Sequence, residues 1–159
     1  MATVTVARDV HAPQRIVFDV LTDLEHAADR IRGIEQIDLD TPGPMREGTK
    51  WTETRIMMGK PAIETMWVTE FAPPSHYVVE AESRGTHYRT LVKALPTGDD
   101  TSRIEYIFEG RPVSLMAKLM SPMFVLFKGM VAKCFQEDLD DIAAAAEEMF
   151  RQSKQTPAE

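Results

Sequence analysis

The chain has 159 residues, 43% of them hydrophobic and 27% charged, and its 18 basic against 25 acidic side chains leave a formal net charge of −7. That size suits one domain with room for a sizeable core or cavity, and the composition excludes a disordered or collagen-like chain. The acidic balance argues against a nucleic-acid surface, which needs clustered Lys and Arg, and against an anionic membrane except through a local patch.

Thr3 to Val10 alternates, with Val4 and Val6 on one face, and reads as a strand. Ala12-Pro13 then opens a helix, Pro13 suiting the first helical position, and Ile16, Val17, Val20 and Leu21 recur at helical spacings. Asp23 is placed to cap a second short helix through Leu24 and Ala28, which Gly33 ends. Six strands follow without an intervening helix: one holding Ile34, Ile37 and Leu39, then Thr49 to Met58, Pro61 to Phe71, Tyr77 to Ser83, Thr86 to Leu95, and Ser102 to Glu109. In the last, Ile104, Tyr106 and Phe108 face away from Arg103, Glu105 and Glu109. Val113 to Met120 reads as a short helix, and Ser121-Pro122 as the start of a long one reaching about Arg151. Uninterrupted strands imply an antiparallel sheet, so the class is α+β with seven strands, and only the long C-terminal helix has the length to cover the sheet's apolar face. Residues 1–151 form one domain, and the polar 152–159 reads as a flexible tail.

The lone cysteine, Cys134, cannot form an internal disulfide, which fits a cytoplasmic setting. The N-terminus carries no apolar core of signal-peptide length. Met123 to Ala132 is apolar but interrupted by Lys128 and flanked by Lys118 and Lys133, and it falls short of the roughly 18 residues a span needs. It reads as a buried helix, without integral membrane association.

Several segments, taken in order, resemble a known family: Ala12-Pro13 with Val17-Phe18-Asp19-Val20-Leu21, Gly48-Thr49, Val68-Thr69-Glu70 with Pro73-Pro74, and Gly98 with Thr101-Ser102-Arg103. Together they resemble the SRPBCC (START-like, helix-grip) superfamily, in particular its polyketide cyclase/dehydrase branch, over about residues 3–150. The resemblance implies a helix-grip fold, a curved seven-stranded antiparallel sheet around the long helix with two short helices after the first strand. It also implies an apolar internal cavity. Members bind lipids, sterols and polyketides, and some are aromatases or cyclases, so enzyme activity stays open.

The sequence holds no nucleophile elbow, zinc-protease motif, paired-cysteine motif or phosphate loop, and His11, His26, His76 and His87 lack metal-ligand spacing. No metal and no cofactor is expected. Cys134, between Met130 and Phe135, reads as a small core residue.

A two-residue turn at Gly59-Lys60 sets Met58 opposite Pro61, Arg55 opposite Glu64, Glu53 opposite Met66 and Trp51 opposite Val68. Trp51, Glu53, Arg55, Met57, Ala62, Glu64, Met66 and Val68 then share a face, but periodicity does not say whether it is inside, since each face has one tryptophan. The resemblance implies that Val68 points inward and its companions with it. A Glu53–Arg55–Glu64 cluster in a cavity needs mutual pairing, and a desolvated glutamate there gains acid or base character. The alternative is an exposed cross-strand ion pair of little energetic weight.

If the chain is an enzyme of aromatase/cyclase type, the catalytic candidates are Glu53, Arg55, Glu64 and Tyr88. The expected ligand-binding set is Trp51, Arg55, Glu64, Met66, Val68, Val79, Tyr88, Thr90, Tyr106 and Phe108 from the sheet, and Met120, Met123, Phe127 and Met130 from the long helix. Arg55→Ala is expected to weaken binding of a polar ligand, and Phe127→Ala to enlarge the pocket. The leading expectation is a protein that binds a small hydrophobic ligand. A protein-binding adaptor is the other alternative, with apolar residues around Phe124 and Leu126 as an interface patch or homodimer contact.

Overall fold

A computed structural model describes residues 2–57 and 59–155. Seven strands form one sheet: β1 (Ala2–Val10), β2 (Ile34–Leu39), β3 (Lys50–Met57), β4 (Lys60–Ala72), β5 (His76–Ser83), β6 (Thr86–Pro96) and β7 (Ser102–Pro112). Two short helices, α1 (Gln14–Leu21) and α2 (Ala27–Arg30), follow β1, and α3 (Leu115–Gln155) ends the chain. The sheet order is β1-β7-β6-β5-β4-β3-β2, and each described neighbour pair is antiparallel. A long helix laid across such a sheet is the helix-grip fold.

The core gathers at one end of this grip. β1 buries Val4, Val6 and Val10 in alternation, α1 buries Val17, Phe18, Val20 and Leu21, and α3 supplies Leu139, Ile142, Ala143 and Ala146. Polar ties close the same end: Ser102 Oγ donates to Ala12 O (2.7 Å), Tyr77 OH to Leu21 O (3.0 Å), and Gln136 Nε2 to Ala7 O (3.2 Å). Bulges between Ile34 and Gln36 on β2 and between Val68 and Glu70 on β4 bend those strands.

Four local expectations need correction. Pro13 is the N-cap of α1 rather than its first helical residue. Asp23 makes no cap to the backbone and instead accepts side-chain hydrogen bonds from Arg30 and, across the ring nitrogen, His26. Nor is α3 broken at Ser121-Pro122. It runs from Leu115 with Pro122 inside it, because Ser114 does the capping, its Oγ accepting from Ala117 N–H (3.1 Å). Pro122 removes one donor, toward Lys118, whose surroundings are exposed, so the freed carbonyl faces no apolar core. The helix continues through Gln155, into the stretch expected as tail, and 156–159 lie outside the described residues.

The β3–β4 turn is the fourth. Met57 pairs with Lys60, so the two-residue loop is 58–59, with Gly59 at φ +75°. Glu53 therefore faces Glu64, Arg55 faces Ala62, and Trp51 faces Met66, a two-residue shift from the expected pairing. Met58 lies outside the described residues, and Pro61 pairs with Ile56. Because side chains alternate with a period of two, this shift changes partners but keeps faces.

Candidate functional site

Beyond the core end, the sheet, the short helices and α3 enclose a cavity of about 330 Å³. That lies at the small end of the roughly 300–1,000 Å³ typical of ligand sites. Alternation puts Trp51, Glu53, Arg55 and Met57 of β3 on its wall, with Ala62, Glu64 and Met66 of β4. β5 to β7 add Val79, Ala81, Tyr88, Thr90, Tyr106 and Phe108, while Leu24, Ala27 and Ile31 close the side of the short helices.

The structure thus brings nine of the fourteen expected ligand-binding residues to the cavity by way of the sheet: Trp51, Arg55, Glu64, Met66, Val79, Tyr88, Thr90, Tyr106 and Phe108. Val68 shares their face but is 2% exposed and sealed in the core beside the β4 bulge, where its backbone pairs with Gly48 and Thr49. Met120, Met123, Phe127 and Met130 do not line the cavity. Phe124, Val131, Cys134, Phe135, Asp138 and Ile142 do, a stripe turned by about one residue, or ~100°, from the expected one. The reason is that the N-terminal part of α3 is more apolar on its outer side than on its inner side. Phe127→Ala therefore leaves the cavity unchanged, and Phe124 is the residue whose truncation widens it.

Aromatic rings make up one wall. Tyr88 and Phe108 stack at 5.4 Å between centroids, Phe108 and Phe124 at 6.3 Å, and Phe135 meets both Phe108 and Tyr106 edge-on at 5.2 and 5.8 Å. Gly110 makes the approach of α3 possible, since a Cβ there meets the Phe124 ring at 3.2 Å.

The opposite wall is charged. Arg55 reaches Glu53 on its own strand (Nε to Oε1, 3.1 Å) and Asp138 on α3 (Nη1 to Oδ1, 3.1 Å; Nη2 to Oδ2, 2.9 Å). All three side chains are nearly buried, at 15%, 11% and 6% exposed. Burial works against the Arg55 charge, but Asp138 and then Glu53 outweigh it and hold the guanidinium protonated. Burial pushes the Asp138 carboxyl up, and Arg55 pulls it back. Arg55 was expected to pair with Glu64. The real partner, Asp138, sits among the acids of the last helical turns, and its signal in the sequence was its place three residues after Phe135 and four before Ile142 on one face.

Glu64 stands directly across from Glu53 with no salt-bridge partner among the described residues. Burial raises its pKa, the Glu53 charge adds to this, and Arg55 and Arg84 oppose it. Glu64 therefore holds a proton to higher pH than an exposed glutamate does. The sign of the linkage follows. A carboxyl raised on folding stabilises the fold below its unfolded pKa and loses that contribution as pH climbs through the raised value. Glu64→Gln is expected to remove this loss, so that the variant gains on the parent as pH rises above about 4. Urea unfolding across that range checks it. A constant difference between the two proteins contradicts the assignment.

One further polar atom marks the site. Trp51 is 4% exposed, and its indole Nε1–H is buried without a hydrogen-bond acceptor among the described residues. Tyr77, by contrast, spends its hydroxyl on Leu21. Burial raises the pKa of both Tyr77 and Tyr106, which keeps them neutral. Among the described residues no group of three or more His, Cys, Asp or Glu side chains is placed to hold a metal ion. His26, His76 and His87 each face a carboxylate, from Asp23, Glu70 and Glu80 respectively.

A seven-stranded antiparallel sheet gripping a long C-terminal helix defines the helix-grip class of folds. Residues 1–147 match the family described as polyketide cyclase / dehydrase and lipid transport, so the chain belongs to that family. No curated protein matches the chain. Three solved structures illustrate the shared fold. A norcoclaurine synthase point mutant from Thalictrum flavum, in complex with a transition-state analogue, is 18% identical with a TM-score of 0.67, each chain covered to 96%. The Zhui aromatase/cyclase from a Streptomyces species is 16% identical with a TM-score of 0.68, covering 92% of this chain and 93% of that one. A START superfamily protein from Mycobacterium smegmatis is 16% identical with a TM-score of 0.64, covering 94% and 97%. At these identities the likeness shows the fold alone.

Proposed function

We propose that the protein binds, in this cavity, a small and mostly apolar ligand that carries a hydrogen-bond acceptor such as a ketone or ester carbonyl. The observation that carries this reading is the pairing of an aromatic, apolar wall with one donor that has no partner among the described residues, Trp51 Nε1–H. Burial of the ligand's apolar surface supplies the affinity, and the indole donor sets its orientation. Arg55 is already committed to Glu53 and Asp138, so it stiffens the wall rather than greeting the ligand.

Two naphthalene dyes test it in solution: prodan, which carries a ketone, and phenylnaphthylamine, which carries none. Both are expected to bind saturably with blue-shifted emission. Trp51→Phe is expected to weaken prodan a few-fold, about 1 kcal/mol for one hydrogen bond, and to leave phenylnaphthylamine unchanged. Native mass spectrometry of freshly purified protein, followed by denaturing extraction, is expected to show an apolar adduct. Absence of both saturable dye binding and any adduct overturns the reading.

A second reading has its own support. Glu64 lines the cavity beside the aromatic wall and its carboxyl is pushed up by burial, so it is placed to exchange a proton with a bound carbonyl compound, the step an aromatase/cyclase-type enzyme needs for enolisation and dehydration. Turnover of a poly-ketone substrate that Glu64→Gln abolishes without loss of binding supports it.

A further inference from the structure

The outer side of the first half of α3 is apolar and bare. Leu115, Leu119, Met123 and Leu126 follow one another at helical spacing along one side, with Leu115, Leu119 and Leu126 exposed to 85%, 76% and 80%. Met116, Met120 and Phe127 widen this strip, and α3 contains an 18-residue window with a mean hydropathy of 1.4. The charge pattern here departs from that of the whole protein. From Gly110 to Gln136 the chain carries Arg111, Lys118, Lys128 and Lys133 and none of its 25 acidic residues. None of these four cations has a carboxylate within salt-bridge distance among the described residues. Exposed Lys118 borders this strip and exposed Lys133 continues its line beyond Phe127, while half-buried Lys128 lies nearer the inner side. An apolar strip with such lysines at its border is complementary to an anionic lipid surface, with leucines below the headgroups and lysine stems reaching up to them.

A second copy of the chain fits less well. Two such strips set face to face bring Lys118 and Lys133 of both copies together, with no acid in either stretch to neutralise them. Spanning the bilayer is also disfavoured, because the later turns of the same helix, from Asp138 to Ala146, are held in the grip of the sheet. We infer that the outer side of α3 from Leu115 to Phe127 is a docking surface for an anionic bilayer, on which this stretch lies flat in the headgroup layer. The acidic remainder of the protein then points away from the lipid. On the inner side of the same turns, Phe124 stacks on Phe108 in the cavity wall. Docking therefore sets that wall against the bilayer, where an apolar ligand passes without crossing water. This last consequence rests on the cavity being a ligand site, while the docking does not.

Flotation with vesicles tests the docking. Binding to phosphatidylcholine vesicles containing about one third phosphatidylglycerol is expected to exceed binding to phosphatidylcholine alone by about 25-fold, Lys118 and Lys133 contributing about fivefold each. Raising the salt to about 1 M is expected to erase most of that difference. Leu119→Glu and Leu126→Glu are each expected to lower vesicle binding at least about tenfold. Both side chains are exposed, so circular dichroism and prodan binding in solution are expected to stay at the parent's values. The Lys118→Gln/Lys133→Gln double variant, in which both substituted side chains are exposed, is expected to erase most of the preference for anionic vesicles. Failure to float with anionic vesicles overturns the docking, as does flotation unchanged by Leu119→Glu. A dimer in sedimentation that Leu119→Glu dissolves overturns it in favour of a second copy. Loss of dye binding with intact flotation instead sinks the cavity reading and leaves the docking standing.

Discussion

Arg55→Met is expected to destabilise the protein by about 3–5 kcal/mol at neutral pH, a fall in Tm on the order of 10 °C. The arginine is the only cation within reach of two nearly buried carboxylates, Glu53 and Asp138, among the described residues. Removing it leaves both charges desolvated and facing each other, and a third carboxyl, Glu64, stands across the strand pair. The size of the loss reflects that uncompensated charge more than any strength of the original pairs. Two further results separate these causes. Burial already raises Asp138, and losing Arg55 removes the force pulling it back. A carboxyl raised on folding stabilises at low pH and ceases to do so as pH rises through the raised value. The deficit of Arg55→Met is therefore expected to shrink on acidification below about pH 5 and to be largest above neutrality. The triple variant Glu53→Gln/Arg55→Met/Asp138→Leu, which removes the charges together, is expected to recover most of the loss. Urea unfolding of the single and triple variants between acid and neutral pH measures all three effects. A single variant within about 1 kcal/mol of the parent at neutral pH contradicts the burial of the cluster.

Leu139→Ala is expected to cost about 2–5 kcal/mol, and Leu119→Ala on the same helix no more than about 0.5 kcal/mol. Leu139 is fully buried where α3 packs against β1 and α1, so truncation opens a void that close-packed neighbours cannot fill. Leu119 has 76% of its surface already exposed and no core to vacate. Thermal and urea unfolding of the two variants thus compares one substitution in two environments along one helix. Equal losses would mean that the outer side of α3 is covered in the isolated protein.

The strands were legible because their residues are asymmetric in polarity. Tyr106 and Phe108 alternate with Arg103, Glu105 and Glu109, and their inward direction follows from that contrast. β3 and β4 lack it, with charges on the inner face and Ile56 and Ile63 exposed on the outer. Their face came from family resemblance rather than from pattern, and their pairing was misread at the turn. The error was harmless to the cavity because it was two residues long; a slip of one reverses every side chain. The long helix misled for a different physical reason. Apolar periodicity reports which face is removed from water, and it was read as the face toward the core. In α3 the strongest stripe, through Met120, Met123 and Phe127, points outward, and the cavity takes the weaker one through Phe124, Val131 and Phe135. Asp138 is masked by its acidic neighbours Glu137, Asp140 and Asp141, and only its spacing from Phe135 and Ile142 marks it as the one that turns inward to Arg55.

The pairing of β1 with β7 joins Ala2–Val10 to Ser102–Gly110, segments roughly a hundred residues apart. Every other ladder in the sheet links strands adjacent in sequence and closes through a short turn, apart from the turn-and-loop step between β2 and β3. Local hairpins of this kind form quickly, whereas a contact across most of the chain must wait for its loop entropy to be overcome. Refolding is therefore expected to run from the β3–β7 meander outward, with β1 and α1 arriving late. Until they do, the inner faces of β6 and β7, including Ile104 and Ala94, have no cover at the core end. An aggregation-prone window on the way to the native state follows from this topology, independently of how stable the finished structure is.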